Sequence, residues 1–374
     1  MSRVRFGLIG TGFIGRTHAI ALNAAGAVFG ERFAPVCELL ADHTEEAAQR
    51  GARALGFARS TGDWRQLIAD PAIDVVDICT PNYLHRDMAL AAIGAGKHVY
   101  CEKPLANTAR EAREIAAAAD AAGVRHLIGF NYICNPLLQV AREMIAAGEL
   151  GEVYAFRGAY HEDYMGDPGV PWSWRCDRAL AGCGALADLG SHLINLAHFL
   201  LGGIARVQGA LQTVHAQRRD PASGALRAVE NEDIARALVE FRNGVPGSFE
   251  ISRVATGRKC GLEFALFGTR GAIEFGQERM NELRWYEAPS RAGREGFRTI
   301  LAGPAHPDYR AFCPAPGHGL GYNDLKTIEV RNVIDAVASG KDGWPDFHEG
   351  ARVQQVMEAI ERSHAARAWT EVGP

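Results

Sequence analysis

A short apolar run, VRFGLIG, passes directly into a glycine-spaced turn, GTGFIG, and then into a helical stretch, THAIALNAAG. Gly10, Gly12 and Gly15 therefore stand in GxGxxG spacing between a strand and a helix. Few folds use that order. The glycines allow a tight turn and close backbone approach, so a pyrophosphate can rest on the helix N-terminus. The expectation is a doubly wound sheet that carries a dinucleotide.

The pattern continues to residue 130. FAPVCELLAD, IDVVDICTP, KHVYCEKP and RHLIGFN are apolar runs separated by alanine-rich helical stretches. Strands buried on both faces and separated by helices make a parallel sheet covered by helices. Beyond a helix near PLLQVAREMIAAG, the runs GEVYAFRGAY, ARVQGALQTV, DIARALVEFRNGVPGSFEISRV and CGLEFALFGTRGAIEF alternate and are joined by turn signals. The fold class is α/β: an N-terminal Rossmann domain, residues 1-130, and a C-terminal α/β domain, residues 131-374, with a large, mostly antiparallel open sheet. NDLKTIEVRNVIDAVASG and GARVQQVMEAIERSHAARA read as closing helices, and residues 215–231 as an exposed loop.

A dinucleotide site of this kind also wants an acid at the end of the second strand, about 20 residues on, for the ribose hydroxyls. Asp42 ends CELLAD, and the extra length falls in AVFGERFAP, which reads as a loop insertion. A carboxylate there repels a 2′-phosphate, and His43 follows where an arginine would favour NADP. The cofactor is read as NAD. Glu38, inside the same strand, is a less well placed rival.

With 374 residues, 47% hydrophobic and 22% charged, the chain has the composition of a two-domain globular protein. A net charge of -4 argues against nucleic acid or an anionic membrane surface as partner. No apolar run approaches the roughly 20 residues that span a bilayer, and the opening MSRVRFGLIG lacks a secretory pattern, so a cytoplasmic location is expected. The 8 cysteines form no CxxC pair, which predicts neither disulfides nor a metal site, Cys176 and Cys183 included.

Lys103 lies in YCEKPLA, at the end of a strand that reads as buried. Ligands of doubly wound sheets sit outside the carboxyl ends of the strands, and a lysine is seldom buried without a partner or a task. In AGCGALADLGSHLINLAHFLLG, about 100° per residue puts Asp188, His192 and Asn195 on one stripe beside a leucine face. A polar stripe on an apolar helix faces water or a cleft. His198 falls on another side and reads as structural.

With GTGFIG, TPNYLH, EKPLA and GALADLGSH in this order, the chain resembles the Gfo/Idh/MocA oxidoreductases over essentially its whole length. The resemblance implies an NAD(P)-binding Rossmann domain followed by an open-sheet α/β domain that commonly pairs subunits, hence a homo-oligomer, expected to be a tetramer. It implies Lys103, Asp188 and His192 as the catalytic trio. It places Gly10, Gly12, Phe13, Ile14, Asp42, Pro81, Asn82, His85, Glu102 and Lys103 at the cofactor, with Trp174 and Arg175 of WSWR near the nicotinamide end. The family's arginine soon after GFNY is replaced by Ile133 and Cys134, which puts substrate contacts from this loop in doubt. GFRTILAGPAHPDY and PGHGLGYNDLKTIE are similar to the branches that oxidise levoglucosan and scyllo-inositol or L-glucose.

These parts imply oxidation of a secondary hydroxyl on an uncharged cyclitol or sugar, of scyllo-inositol or L-glucose type, with levoglucosan or another pyranose as the alternative. His192 would act as base, Lys103 would stabilise the alkoxide, and Asp188 would orient the imidazole or hold a second hydroxyl. Arg178 and His318 are expected to bond substrate hydroxyls, His318 across a subunit interface from the glycine-flanked PGHGLGY. An NAD-dependent glycosidase and a non-catalytic NAD-binding regulator are the remote rivals.

Overall fold

The computed structural model describes residues 3–289 and 292–373. The chain forms two compact units: the residues up to Cys134 with Gly321–Ala351, and Asn135–Leu320 with the residues from Arg352 onward.

Among the described residues of the first unit, six strands form one sheet: β1 (Arg5–Ile9), β2 (Val36–Ala41), β3 (Arg59–Thr61), β4 (Val75–Ile78), β5 (His98–Glu102) and β6 (His126–Gly129). The spatial order is β3-β2-β1-β4-β5-β6, with every neighbour parallel. The order reverses at β1, where the glycine turn leaves the sheet. This is the doubly wound arrangement that the apolar runs predict. The segment AVFGERFAP is less of a loop than its composition suggests. The first helix runs through it from Phe13 to Phe29, and Glu31–Phe33 make a single 3-10 turn that buries Phe33.

The helix Tyr322–Ser339, read from sequence as a closing helix of the second domain, packs in the first unit. Val330, Val333, Ile334 and Val337 recur at helical spacing and join a core of Phe6, Leu8, Leu22 and Tyr100.

The second unit is built on a nine-stranded sheet. Its strands are β7 (Val153–His161), β8 (Ile204–Gln212), β11 (Ile234–Phe241), β12 (Pro246–Ser252), β13 (Gly261–Gly268), β14 (Gly271–Gly276), β15 (Glu282–Glu287), β16 (Arg298–Leu301) and β17 (Thr370–Glu371). Among the described residues only β7 and β12 pair in parallel in this sheet; the other neighbours are antiparallel. Burial alternates along β11, with Ala235, Ala237, Val239 and Phe241 inward and Arg236 and Leu238 outward. The inward face receives the helix Ser191–Leu201: a Cβ on Gly158 of β7 would run into the Leu193 side chain. The outward face carries cross-strand ion pairs, Arg236 with Glu250 and Arg284 with Glu274.

Residues 215–231 are not the plain exposed loop that their polarity suggests. Gln217–Arg219 (β9) and Leu226–Ala228 (β10) form a hairpin. Its Arg218 is buried, and the guanidinium bonds the carbonyls of Met165, Asp167 and Val170. The loop that follows β7 is thus pinned by a residue far along the chain.

Candidate active site

In the first unit the turn after β1 has the form a dinucleotide needs. Gly10 takes φ +100°, and a Cβ on Gly15 would collide with the Gly10 carbonyl. The helix behind it has no side-chain cap at Gly12 and no acid in its first turn. Its amide ends therefore face outward unspent, as a pyrophosphate requires. Gly12 and Phe13 are exposed at that mouth; Ile14 packs inward against the core. Asp42 follows β2 and accepts from the Thr11 amide at 3.0 Å, from the Thr11 hydroxyl and from His43. Burial opposes its ionisation, but the bonds from Thr11 and His43 prevail and hold the carboxyl below its usual range. Glu38 is committed elsewhere, to Arg5 at 2.6 Å and Arg59 at 2.9 Å. The residues present fit NAD, with Asp42 rather than Glu38 beside the glycine turn.

At the neighbouring strand ends, Pro81 and Asn82 open a partly exposed 3-10 turn. His85 does not share that exposure. Its ring is fully buried, with Nδ1 2.8 Å from the Pro104 carbonyl and Nε2 2.8 Å from the Thr80 carbonyl. Burial pushes its pKa down against the pull of those two oxygens. The residue expected at the cofactor is a staple between two loops. Glu102 also departs from expectation: it is buried, with its carboxylate on His18, Lys326 and the Lys103 amide. Lys103 is half-buried at the end of β5, joined to Pro104 by a cis peptide bond.

In the second unit, Leu186–Gly190 form a π-helical turn that leads into the helix Ser191–Leu201. Single π turns often mark functional positions. The Glu232 carboxylate accepts the Leu186 amide at 2.8 Å, and the Glu232 carbonyl accepts the Ala185 amide at 2.9 Å, so the turn is fixed at its start. Asp188 is half-exposed, while His192 and Asn195 are buried. The Tyr164 hydroxyl donates to Asp188 Oδ2 at 2.6 Å, and Arg175 Nε lies 3.9 Å from the same oxygen. Arg175 lies against the Trp174 ring, its guanidinium carbon 4.5 Å from the centroid. Its carbonyl accepts from both Asn231 and Arg253, and Arg253 in turn forms a buried ion pair with Asp233 at 2.9 Å.

The two residues expected to bond substrate hydroxyls have partners of their own. Arg178 is paired with Glu361 at 2.5 Å, and His318 is exposed on its loop, with the Tyr309 hydroxyl donating to its carbonyl. Sequence reasoning missed Tyr164, Arg218 and Arg253 in this unit and His18 and Lys326 in the first. Lys326 and Glu329 carried a signal: both lie on the apolar stripe of their helix, an odd place for charges without partners. Arg218 carried none.

Among the described residues two clusters bring enough donors together, His18–Asp77–Cys79 and Asp120–His126–His348, and metal-ligand chemistry is weak at both. Both nitrogens of His18 face carboxylates. His126 accepts the Phe347 amide on Nδ1, which leaves the proton on Nε2 and no lone pair for an ion.

A Rossmann unit with an uncapped helix behind its glycine turn defines the class, an NAD-binding oxidoreductase. Residues 4–130 match the oxidoreductase family with an NAD-binding Rossmann fold, and residues 138–274 match the GFO/IDH/MocA C-terminal domain. Levoglucosan dehydrogenase of Pseudarthrobacter phenanthrenivorans is 39% identical over 385 residues, spanning 100% of this chain and 99% of that one. A solved structure of levoglucosan dehydrogenase in complex with NADH and L-sorbose shares 39% identity and a TM-score of 0.97, covering 100% of both chains. The NAD-dependent scyllo-inositol 2-dehydrogenase of Bacillus subtilis is 28% identical over 91% of this chain and 87% of its own. The chain belongs to the Gfo/Idh/MocA oxidoreductase family and is an NAD-dependent sugar or polyol dehydrogenase.

Proposed function

We propose that the protein oxidises a secondary hydroxyl of an uncharged pyranose of levoglucosan type, with Lys103, Asp188 and His192 as its catalytic residues. The sequence alone ranked scyllo-inositol and L-glucose first. Identities of 39% to a levoglucosan dehydrogenase and 28% to a scyllo-inositol dehydrogenase favour the reverse order, with the cyclitol as second reading. NAD, when bound, supplies the hydride acceptor. His192 takes the hydroxyl proton at an imidazole nitrogen, because that group exchanges protons near neutral pH. The Lys103 ammonium stabilises the negative charge that develops on the substrate oxygen. Asp188, held by Tyr164, orients the imidazole or accepts from a second hydroxyl. Trp174 and Arg175 border this group, and Arg178 and His318 are proposed to add hydroxyl contacts, the latter from a neighbouring subunit of a cytoplasmic tetramer.

The observation that carries the reading is a half-exposed Asp188 in a π-helical turn followed at once by a buried His192 on the next helix. Several directional donors suit a neutral ring of many hydroxyls better than one strong ion pair would. The test is a panel of levoglucosan, scyllo-inositol, L-glucose and myo-inositol with NAD and with NADP, read as reduced nicotinamide. Levoglucosan with NAD is expected to show the highest kcat/KM. Activity confined to the cyclitols, or a preference for NADP, would overturn the substrate or cofactor reading respectively.

A further inference from the structure

We infer that Lys326 and His18 are positioning residues for Lys103, acting through the buried Glu102 carboxylate. This rests on the proposed catalytic role of Lys103.

The two oxygens of Glu102 are used differently. Oε1 faces two cationic groups, with His18 Nε2 at 2.9 Å and Lys326 Nζ at 2.8 Å. Oε2 accepts the backbone amide of Lys103 at 3.1 Å. His18 and Lys326 are fully buried, and the Glu102 side chain is 6% exposed. A lost partner could not readily be replaced by solvent.

The state of His18 follows from its neighbours. Nδ1 lies 2.9 Å from Asp77 Oδ1 and Nε2 faces Glu102, so each ring nitrogen meets a carboxylate and both carry protons. The imidazolium is consistent with a raised pKa: burial and, to a lesser extent, the Lys326 ammonium work against the charge, and Asp77 and Glu102 together outweigh them. Lys326 is held in turn by Glu329 Oε2 at 2.6 Å and by the Tyr100 hydroxyl at 3.3 Å. Burial likewise opposes the Glu102 charge, and Lys326 with His18 keeps its carboxyl well below the usual range.

His18 belongs to the helix behind the glycine turn, and Lys326 to the helix Tyr322–Ser339. One carboxylate therefore ties the end of β5 to two helices. On the far side of Lys103, the buried His85 ring holds the Pro104 carbonyl. The main chain of Lys103 is fastened before and after the residue, so the side chain starts from a fixed point. Without Lys326, Oε1 keeps one cation, the carboxylate can turn, and the anchor of the Lys103 amide loosens. A displacement of about 1 Å at a catalytic group can cost roughly a hundredfold in rate.

A double-mutant cycle tests the coupling. Lys326→Met, Lys103→Ala and the double variant are compared with wild type for kcat and for NADH binding by fluorescence titration. Lys326→Met alone is expected to lower kcat at least about tenfold while the NADH Kd stays within about threefold. In the Lys103→Ala background the same change should cost no more than about twofold of the residual turnover. Equal losses in both backgrounds, or no loss in either, would overturn the inference alone. Full turnover in Lys103→Ala by itself would remove the catalytic reading of Lys103 and the inference with it. Should Lys326→Met not fold, Glu102→Gln goes through the same cycle under the same criteria. That change keeps the shape and an acceptor for the amide and deletes the charge.

Discussion

Both units bury ion pairs, but they place the ionisable groups of their candidate sites differently. In the first, His18, Asp77, Glu102, Lys326 and Glu329 all stand on helices or strands and are buried together, opposite charges in contact. In the second, Asp188 is half-exposed, and the groups that hold it, Tyr164 and Arg175, come from loops pinned by Arg218 and Arg253. Sites on regular elements hold their geometry more tightly than sites on loops, while loops are where specificity varies on a common scaffold. The first unit is built to present one cofactor in one way. In the second, the loop residues around Asp188 could change without disturbing the sheet.

The comparison breaks if the buried charges of the first unit prove dispensable. His18→Asn removes one cation from between two buried carboxylates, a change that typically costs roughly 3–5 kcal/mol. The drop in Tm should be large and should depend on pH. The folded pKa of His18 is raised, so its contribution is fully present below about pH 6.5 and is lost as pH rises through the folded value. Wild-type stability should therefore fall above about pH 6.5, and the variant should lack that part of the slope. Parallel Tm-against-pH curves would contradict the charged state of His18. The groups that face it are Asp77 and Glu102, with the Lys326 ammonium on the same Glu102 oxygen opposing its charge and the Tyr100 ring stacked 4.7 Å away.

A smaller effect is expected in the second unit. Tyr164→Phe deletes the hydroxyl that donates to Asp188 while keeping the ring. Asp188 is partly open to water, so the loss should be about 1 kcal/mol, a fall in kcat/KM of roughly fivefold. Tm should stay within a few degrees of wild type. A collapse in stability comparable with that of His18→Asn would erase the contrast between the units.

Much of this was legible in the sequence, and the part that was not has a physical pattern. GTGFIG and the doubly apolar strands announced the Rossmann unit because local geometry and burial on both faces leave direct marks. Asp188 and His192 were visible because helical spacing put them on one stripe. The partners of Glu102 were not: Lys326 lies 224 residues away, and no local rule links it to EKP. For the same reason Glu102 and His85 read as cofactor contacts, when tertiary contacts turn both inward. The helix Tyr322–Ser339 went to the wrong neighbour in the reading because its apolar stripe says that it packs and not against what. Arg218 sat in a polar stretch indistinguishable from a solvated loop.

The most direct test of the account is the turnover of Lys103→Ala, measured with its affinity for NADH on the same preparation. An ammonium that acts on charge formed in the transition state raises kcat without being needed for cofactor binding. The account predicts a fall in kcat of about three powers of ten with the NADH Kd within about tenfold of wild type. A variant that keeps a tenth of wild-type turnover, or that loses activity only because it no longer binds NADH, would contradict it.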